Sequence, residues 1–160
     1  MRFLGRHTSR LCVCAVLAMF GGILLWVQGS AAPWVYRSTC MPAFAPGFTL
    51  CFLLWLVVYG LAGLGLGILL LPPCFREAGG LRYSALCLLA YMMTLAWYPL
   101  FFSFWHSLLA AAVLGCGVVI HMYLLWKLGR RWMLAVPIFG ILSVMEVYFV
   151  IMTVAYVLIN

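Results

Sequence analysis

The chain has 160 residues, 69% of them hydrophobic and only 7% charged, with a formal net charge of +7 and a mean hydropathy of +1.23. A soluble domain carries charge on roughly a quarter of its residues, so this composition cannot make a water-facing surface and implies lipid as the solvent. The few Arg and Lys sit at segment ends, which reads as an orientation signal and not as a nucleic-acid surface. Inside lipid every backbone N–H and C=O must be paired internally, which leaves helices or a closed barrel. The apolar runs are long and do not alternate. The expectation is therefore an all-α membrane protein, one domain over residues 1–160, built as a five transmembrane helix bundle.

Crossing the hydrocarbon takes about 20 apolar residues, and five runs meet that length. The first spans 11–28, after an Arg-bearing start. The second, 48–71, stops at Pro72-Pro73. The stretch from Tyr83 to Trp126 is about twice the length of one span, so it must turn back once. Ser and His gather between Ser103 and Ser107, giving spans 83–104 and 108–126. The fifth, 133–159, has surplus length that implies tilt or a kink near Pro137.

Five crossings put Arg2, Arg6, Arg10, Arg76, Arg82, Lys127, Arg130 and Arg131 on the N-terminal side and leave Arg37 alone opposite. The positive-inside rule makes the N-terminal side cytosolic. The start of the chain followed by Gly29-Ser30-Ala31-Ala32 also fits a secretory signal peptide. The length of the first run and its Trp26 favour a retained helix; cleavage would leave four spans.

Several residue groups invite a chemical reading. The seven cysteines contain no Cys-x2-Cys pair with a matching His set, so no metal site is expected. Cys12, Cys14 and Cys74 lie near the basic side, where acylation is open to them, and Cys40 and Cys51 share the opposite side and are free to pair. Gly63 and Gly67 form a GxxxG, with Ala111 and Gly115 in span four; packing within the bundle is the plainer reading and a homodimer seam the other. Glu146 sits midway along span five, on one face with Ser143, Val150 and Thr153, so that face looks into the bundle. Its carboxyl is expected to be protonated or paired with an imidazole, His106 or His121. Tyr83, Cys87, Tyr91, Thr94 and Tyr98 form a stripe on span three with Trp97 at its edge, either the wall of a cavity for a flat ligand or an ordinary helix seam. Val119, Tyr123 and Lys127 fit a loose sterol pattern. No Ser/His/Asp set, phosphate loop or pair of catalytic carboxylates is present, so no enzymatic role is expected.

Trp34-Val35-Tyr36 stands ahead of Pro42 and Pro46, followed by Trp55, Tyr59 and Gly63. Span three reads Thr94-Leu95-Ala96-Trp97-Tyr98-Pro99-Leu100-Phe101-Phe102, and Pro137 lies in the last span. In order and spacing these residues resemble the TspO/MBR family of translocator and tryptophan-rich sensory proteins. The likeness covers about Trp34 to Phe102. Within that stretch Pro46-Gly47 replaces Pro-Pro and Thr94 an Asn, and beyond it Ile138 replaces a Tyr and Ile141 a Trp. The resemblance implies a five-helix bundle whose first loop caps a pocket for porphyrins, haem or cholesterol-like lipids. Its wall would be Trp55, Tyr59, Thr94, Trp97 and Phe101, with Glu146 near the position of the missing Trp. It also implies a mitochondrial outer membrane or other intracellular membrane, with no resident cofactor. The alternative reading is a structural or pore-forming protein with a polar path between subunits at Glu146.

Overall fold

The computed structural model describes residues 2–28, 32–76, 79–129, 132–133 and 135–160. Five helices are long and apolar enough to cross a membrane, over Thr8–Val27, Phe48–Leu69, Gly80–Ser103, Ser107–Gly129 and Ala135–Ile159. The chain is thus a multi-span membrane protein folded as an all-α bundle. In chain order the elements are α1 (Arg2–Gln28), α2 (Ala32–Ser38), α3 (Phe48–Leu69), α4 (Pro72–Phe75), α5 (Gly80–Tyr98), a π-helical turn (Pro99–Ser103), α6 (Ser107–Gly129) and α7 (Ala135–Ile159). Arg130, Arg131 and the Gly29-Ser30-Ala31 part of the cleavage motif lie outside the described residues.

Proline and glycine set the ends of these helices. Pro72 cannot continue α3 and instead starts the short α4, with Leu71 extended ahead of it. Gly79, at φ +97°, supplies the left-handed turn from which α5 begins. Pro99 ends the regular α5 ladder, and the chain rewinds through a wider turn closed by Phe104 N–H donating to Pro99 O at 2.9 Å. Helix α6 then starts at Ser107, within the turn region expected from the sequence. Pro137 falls in the first turn of α7, where an absent N–H costs no intrahelical bond, so it opens the helix and is not needed as a kink.

The bundle carries its apolar groups outward as well as inward. Leu17 (65%), Leu108 (70%) and Val144 (70%) are exposed, as lipid-facing positions should be, while Ser84, Thr94, His121, Ser143, Glu146 and Thr153 are buried. The most extensive helix pairs are α6 with α7, α1 with α3 and α5 with α6, and α3 also packs on α5 and α7.

The α1–α3 seam is a close approach of backbones. A Cβ at Gly63 would meet the Ala18 Cβ and the Cys14 carbonyl oxygen at 2.6 Å each, and one at Gly22 would overlap the Tyr59 ring. The GxxxG face is therefore filled by α1 of the same chain. Tyr91 adds an interhelical bond, its hydroxyl donating to Ala18 O at 2.8 Å.

On the side opposite the N-terminus the loop before α3 is tied to α7. The Asn160 amide accepts from Cys40 N–H at 3.2 Å and donates to Cys40 O at 2.9 Å. Tyr148 Oη donates to Phe44 O at 2.9 Å. The C-terminus and the first loop thus share a face, as an odd number of crossings requires.

Candidate functional site

Three helices bring their polar side chains to one point in the interior. Thr94 comes from α5, His121 from α6 and Glu146 from α7, and all three are fully buried. His121 Nδ1 lies 2.8 Å from Glu146 Oε2, and Thr94 Oγ1 lies 2.7 Å from Glu146 Oε1. The Thr94 hydroxyl is also 2.9 Å from Ala90 O. A hydroxyl has one hydrogen. It either donates to an ionised Glu146, or donates to Ala90 O while accepting from a protonated one. Both arrangements fit the same atoms, and a proton shared between Glu146 and His121 keeps the site electrically neutral. In a low-dielectric interior that neutrality is what makes the cluster tolerable. Of the two imidazoles considered from sequence, His121 is the partner; His106 lies at the turn before α6 and is exposed. The His121 ring stacks on Phe139, 6.0 Å between centroids at 28°. Its Nε2 has no hydrogen-bond partner among the described residues.

One turn along α5 from Thr94, an aromatic cluster begins. Trp97 stacks on Trp55 at 4.6 Å and on Phe101 at 5.0 Å. Trp55 also touches Phe149 at 4.5 Å and Tyr59 at 5.4 Å. The Trp97 indole donates to Thr153 Oγ1 at 3.0 Å, and the Thr153 hydroxyl donates to Phe149 O at 2.7 Å. The polar point and the aromatic cluster are therefore neighbours along the same faces of α5 and α7.

The six residues singled out from the sequence, Trp55, Tyr59, Thr94, Trp97, Phe101 and Glu146, are all buried, with at most 1% exposure. They are brought together, but as a packed interior and not as the wall of an open cavity. The described grooves lie elsewhere. One of about 380 Å³ runs along the α6–α7 seam past Met122, Leu125, Gly140, Ser143, Val144 and Val147. Another of about 610 Å³ includes Trp105, His106, Tyr156 and Asn160. The sequence pattern does not single out Phe149 or Trp26 as members of the cluster, and it places Thr153 on the inner face without its bond to Trp97. Periodicity assigns a face to each helix but not the partner across it.

Buried aromatic donors lacking good partners sit on α1, α2 and α3. Trp55 Nε1, Trp26 Nε1, Tyr59 Oη and Tyr36 Oη make no geometrically sound hydrogen bond, although Tyr59 has the Trp26 indole beside it. The Tyr36 hydroxyl has only the weakly interacting Cys51 thiol beside it, and burial pushes its pKa above the ordinary tyrosine value. Trp26 and Tyr36 share the rings of Phe48 and Phe102 as neighbours.

The cysteine options narrow. Cys51 is buried, Cys40 exposed, and no disulfide joins them. Cys74 is buried with Leu11, Ile68 and Leu71, so it is not presented for acylation, whereas Cys12 is exposed. Among the described residues no group of three His, Cys, Asp or Glu could hold a metal ion. No protein-family model matches the chain, and no curated protein matches it.

Proposed function

We infer that the chain binds flat amphipathic molecules, tetrapyrroles or cholesterol-like lipids, inside the bundle and modulates their movement through its membrane. The TspO/MBR resemblance is the origin of this reading, and an intracellular membrane such as the mitochondrial outer membrane goes with it. One observation supports it beyond resemblance: Trp26, Tyr36, Trp55 and Tyr59 form an aromatic interior in which Tyr59 has only Trp26 beside it, Tyr36 only Cys51, both in poor geometry, and Trp55 Nε1 makes no hydrogen bond among the described residues. A buried donor with no partner costs about 1–3 kcal/mol, so Trp55 Nε1 and the poorly paired groups near it gain by meeting a ligand with acceptors on its edge. The carboxylates of a tetrapyrrole or the hydroxyl of a sterol meet that need, and the rings offer stacking faces. The competing reading, a polar path between subunits at Glu146, is opposed by the engagement of both carboxyl oxygens within one chain. A homodimer through Gly63 and Gly67 is opposed by α1, which occupies that seam.

The test compares variants in one micelle, because detergent absorbs apolar molecules without any site. Protoporphyrin quenching of tryptophan fluorescence, corrected for the tryptophan removed, reports affinity. Trp55→Ala and Trp97→Ala should each weaken binding by about 1–3 kcal/mol. Trp126→Ala, at an exposed span end, should leave it unchanged. Circular dichroism identifies variants that fail to fold, for which Trp→Phe at the same position is the replacement. Equal affinity in all folded variants would reduce the cluster to helix packing.

A further inference from the structure

We propose that the groove between the start of α6 and the end of α7 binds a phospholipid, its phosphate held by the free N–H groups of α6 and the hydroxyls of Ser107 and Tyr156. The groove lies apart from the aromatic interior, and the proposal does not depend on what that interior binds.

Helix α6 begins without a side-chain cap. Ser, Thr, Asn or Asp ahead of a helix usually accepts from its first N–H groups. Here His106 holds that position, and Ser107 is already the first helical residue. Ala110 N–H is the first to find a backbone partner, His106 O at 2.8 Å. The N–H groups of Ser107, Leu108 and Leu109 have none among the described residues. They form the positive end of a 23-residue helix.

Water satisfies a free helix end at a surface, so that end alone marks nothing. Two side chains beside it make the difference. Tyr156 is only 6% exposed and Ser107 9%, yet neither hydroxyl has a hydrogen-bond partner among the described residues. Both line the groove of about 610 Å³, together with the exposed imidazole of His106. Nearly buried hydroxyls without partners are uncommon in native proteins and call for an absent one. The remaining polar group, the Asn160 amide, is already engaged by Cys40 and Tyr156 O. No acidic side chain lines the groove among the described residues. Three amides, two hydroxyls and an imidazole can all donate here, so the ligand must be rich in acceptors. A phosphate accepts from most of them at once, as it does at other helix N-termini; a sterol hydroxyl would use one or two.

The rest of the lining makes the phosphate that of a lipid. Leu108, Leu109 and Val157 continue the groove as an apolar wall, and Leu108 (70%) and Leu158 (81%) beside it are exposed towards lipid. The groove sits where α6 begins and α7 ends, at the edge of the hydrocarbon, which is the level of a leaflet's headgroups. Arg37, the basic residue of that side, stands one turn along α2 from Trp34, whose ring lies 5.4 Å from that of Trp105 in the groove.

Amide hydrogen exchange, followed by NMR on the full chain in dodecyl maltoside, reads this place directly. Dioleoyl phosphatidylcholine is the probe, because it has no net charge and is not drawn generally to a chain of +7. At about ten times its Kd it should slow exchange at residues 107–109 by about tenfold. The amides that begin α5, at the opposite end of the bundle, should not change. Tyr156→Phe and Ser107→Ala should each raise the Kd about three- to tenfold, and Tyr123→Phe, towards the other end of α6, should leave it as it is. Dioleoylglycerol, with the chains but no phosphate, and inorganic phosphate, with no chains, should both fail to protect at the same concentration. Protection by inorganic phosphate equal to that by the lipid would make this a free-anion site, and equal protection by dioleoylglycerol or cholesterol would make it a hydroxyl site; either result overturns the proposal. So does unchanged exchange at residues 107–109 with phosphatidylcholine, or equal slowing at the start of α5. The wild-type titrations alone decide the matter should the variants not fold.

Discussion

The link between His121 and Glu146 can be measured by a double-mutant cycle. His121→Ala, Glu146→Ala and the double variant are unfolded by sodium dodecyl sulfate in mixed micelles, with tryptophan fluorescence and circular dichroism as readouts. The structure sets the scale. Glu146 holds two interhelical hydrogen bonds, at 2.8 Å to His121 and 2.7 Å to Thr94. As neutral bonds in a membrane interior these average about 0.6 kcal/mol each, with a ceiling near 1.7. As an ionised pair, removal of one partner strands a buried charge and costs about 3–5 kcal/mol. Each single variant should therefore lose at least about 1–3 kcal/mol, the cavity included. The double variant should lose less than the sum by about 1 kcal/mol or more. Glu146→Gln discriminates between the two states. Its carbonyl accepts from His121 Nδ1–H, and its NH2 donates to Thr94, whose hydroxyl then donates to Ala90 O. A loss below about 1 kcal/mol in Gln marks a neutral pair, and a loss near that of Ala marks an ionised one. Additivity of the single variants within about 0.5 kcal/mol would refute the coupling, since contacting groups that share a proton cannot act independently.

Further predictions concern the packing and the topology. Gly63→Leu should prise α1 from α3, because a Cβ there meets Cys14 O and Ala18 Cβ at 2.6 Å. A loss of about 1–3 kcal/mol or more in the same unfolding assay is expected, while Gly115→Ala, with open space around it, should be nearly neutral. Asn160→Ala removes both bonds to Cys40 and should raise amide hydrogen exchange in residues 39–47 without changing that of α6. Protection equal to the parent would show that the loop is held by other contacts. Glu146→Lys should block assembly, since a cation near mid-membrane costs about 3 kcal/mol on insertion scales; a folded, ligand-binding Lys variant would show that the side chain reaches water. With an impermeant maleimide, exposed Cys40 should react from the face opposite the cytosol and a cysteine introduced at residue 5 only from the cytosol. Labelling of both from one side would sink the five-crossing topology.

The sequence by itself determined that the chain lives in lipid, that it is helical and that its long runs cross five times. Those conclusions depend on composition, run length and the breaks at Pro72-Pro73 and Ser103 to Ser107, all local quantities. It also determined which face of α7 turns inward, because a carboxyl in an apolar helix can only be tolerated away from lipid. Only the tertiary structure decided what each inward residue meets. Glu146 could have paired with either histidine on offer; the packing of α6 against α7 selects His121. Thr94 and Trp97 sit three residues apart on α5, yet their partners, Glu146 and Thr153, lie two helical turns apart on α7. The GxxxG of α3 read more plainly as packing within the bundle than as a dimer seam, without saying which helix it meets; the close approach at Gly63 shows that α1 does. The rings of Trp55, Tyr59 and Trp97 meet one another, with Phe149 added from a helix that periodicity could orient but not dock. Helical period fixes a direction around one axis. Which neighbour lies in that direction, and at what height, is set by how five axes settle against one another.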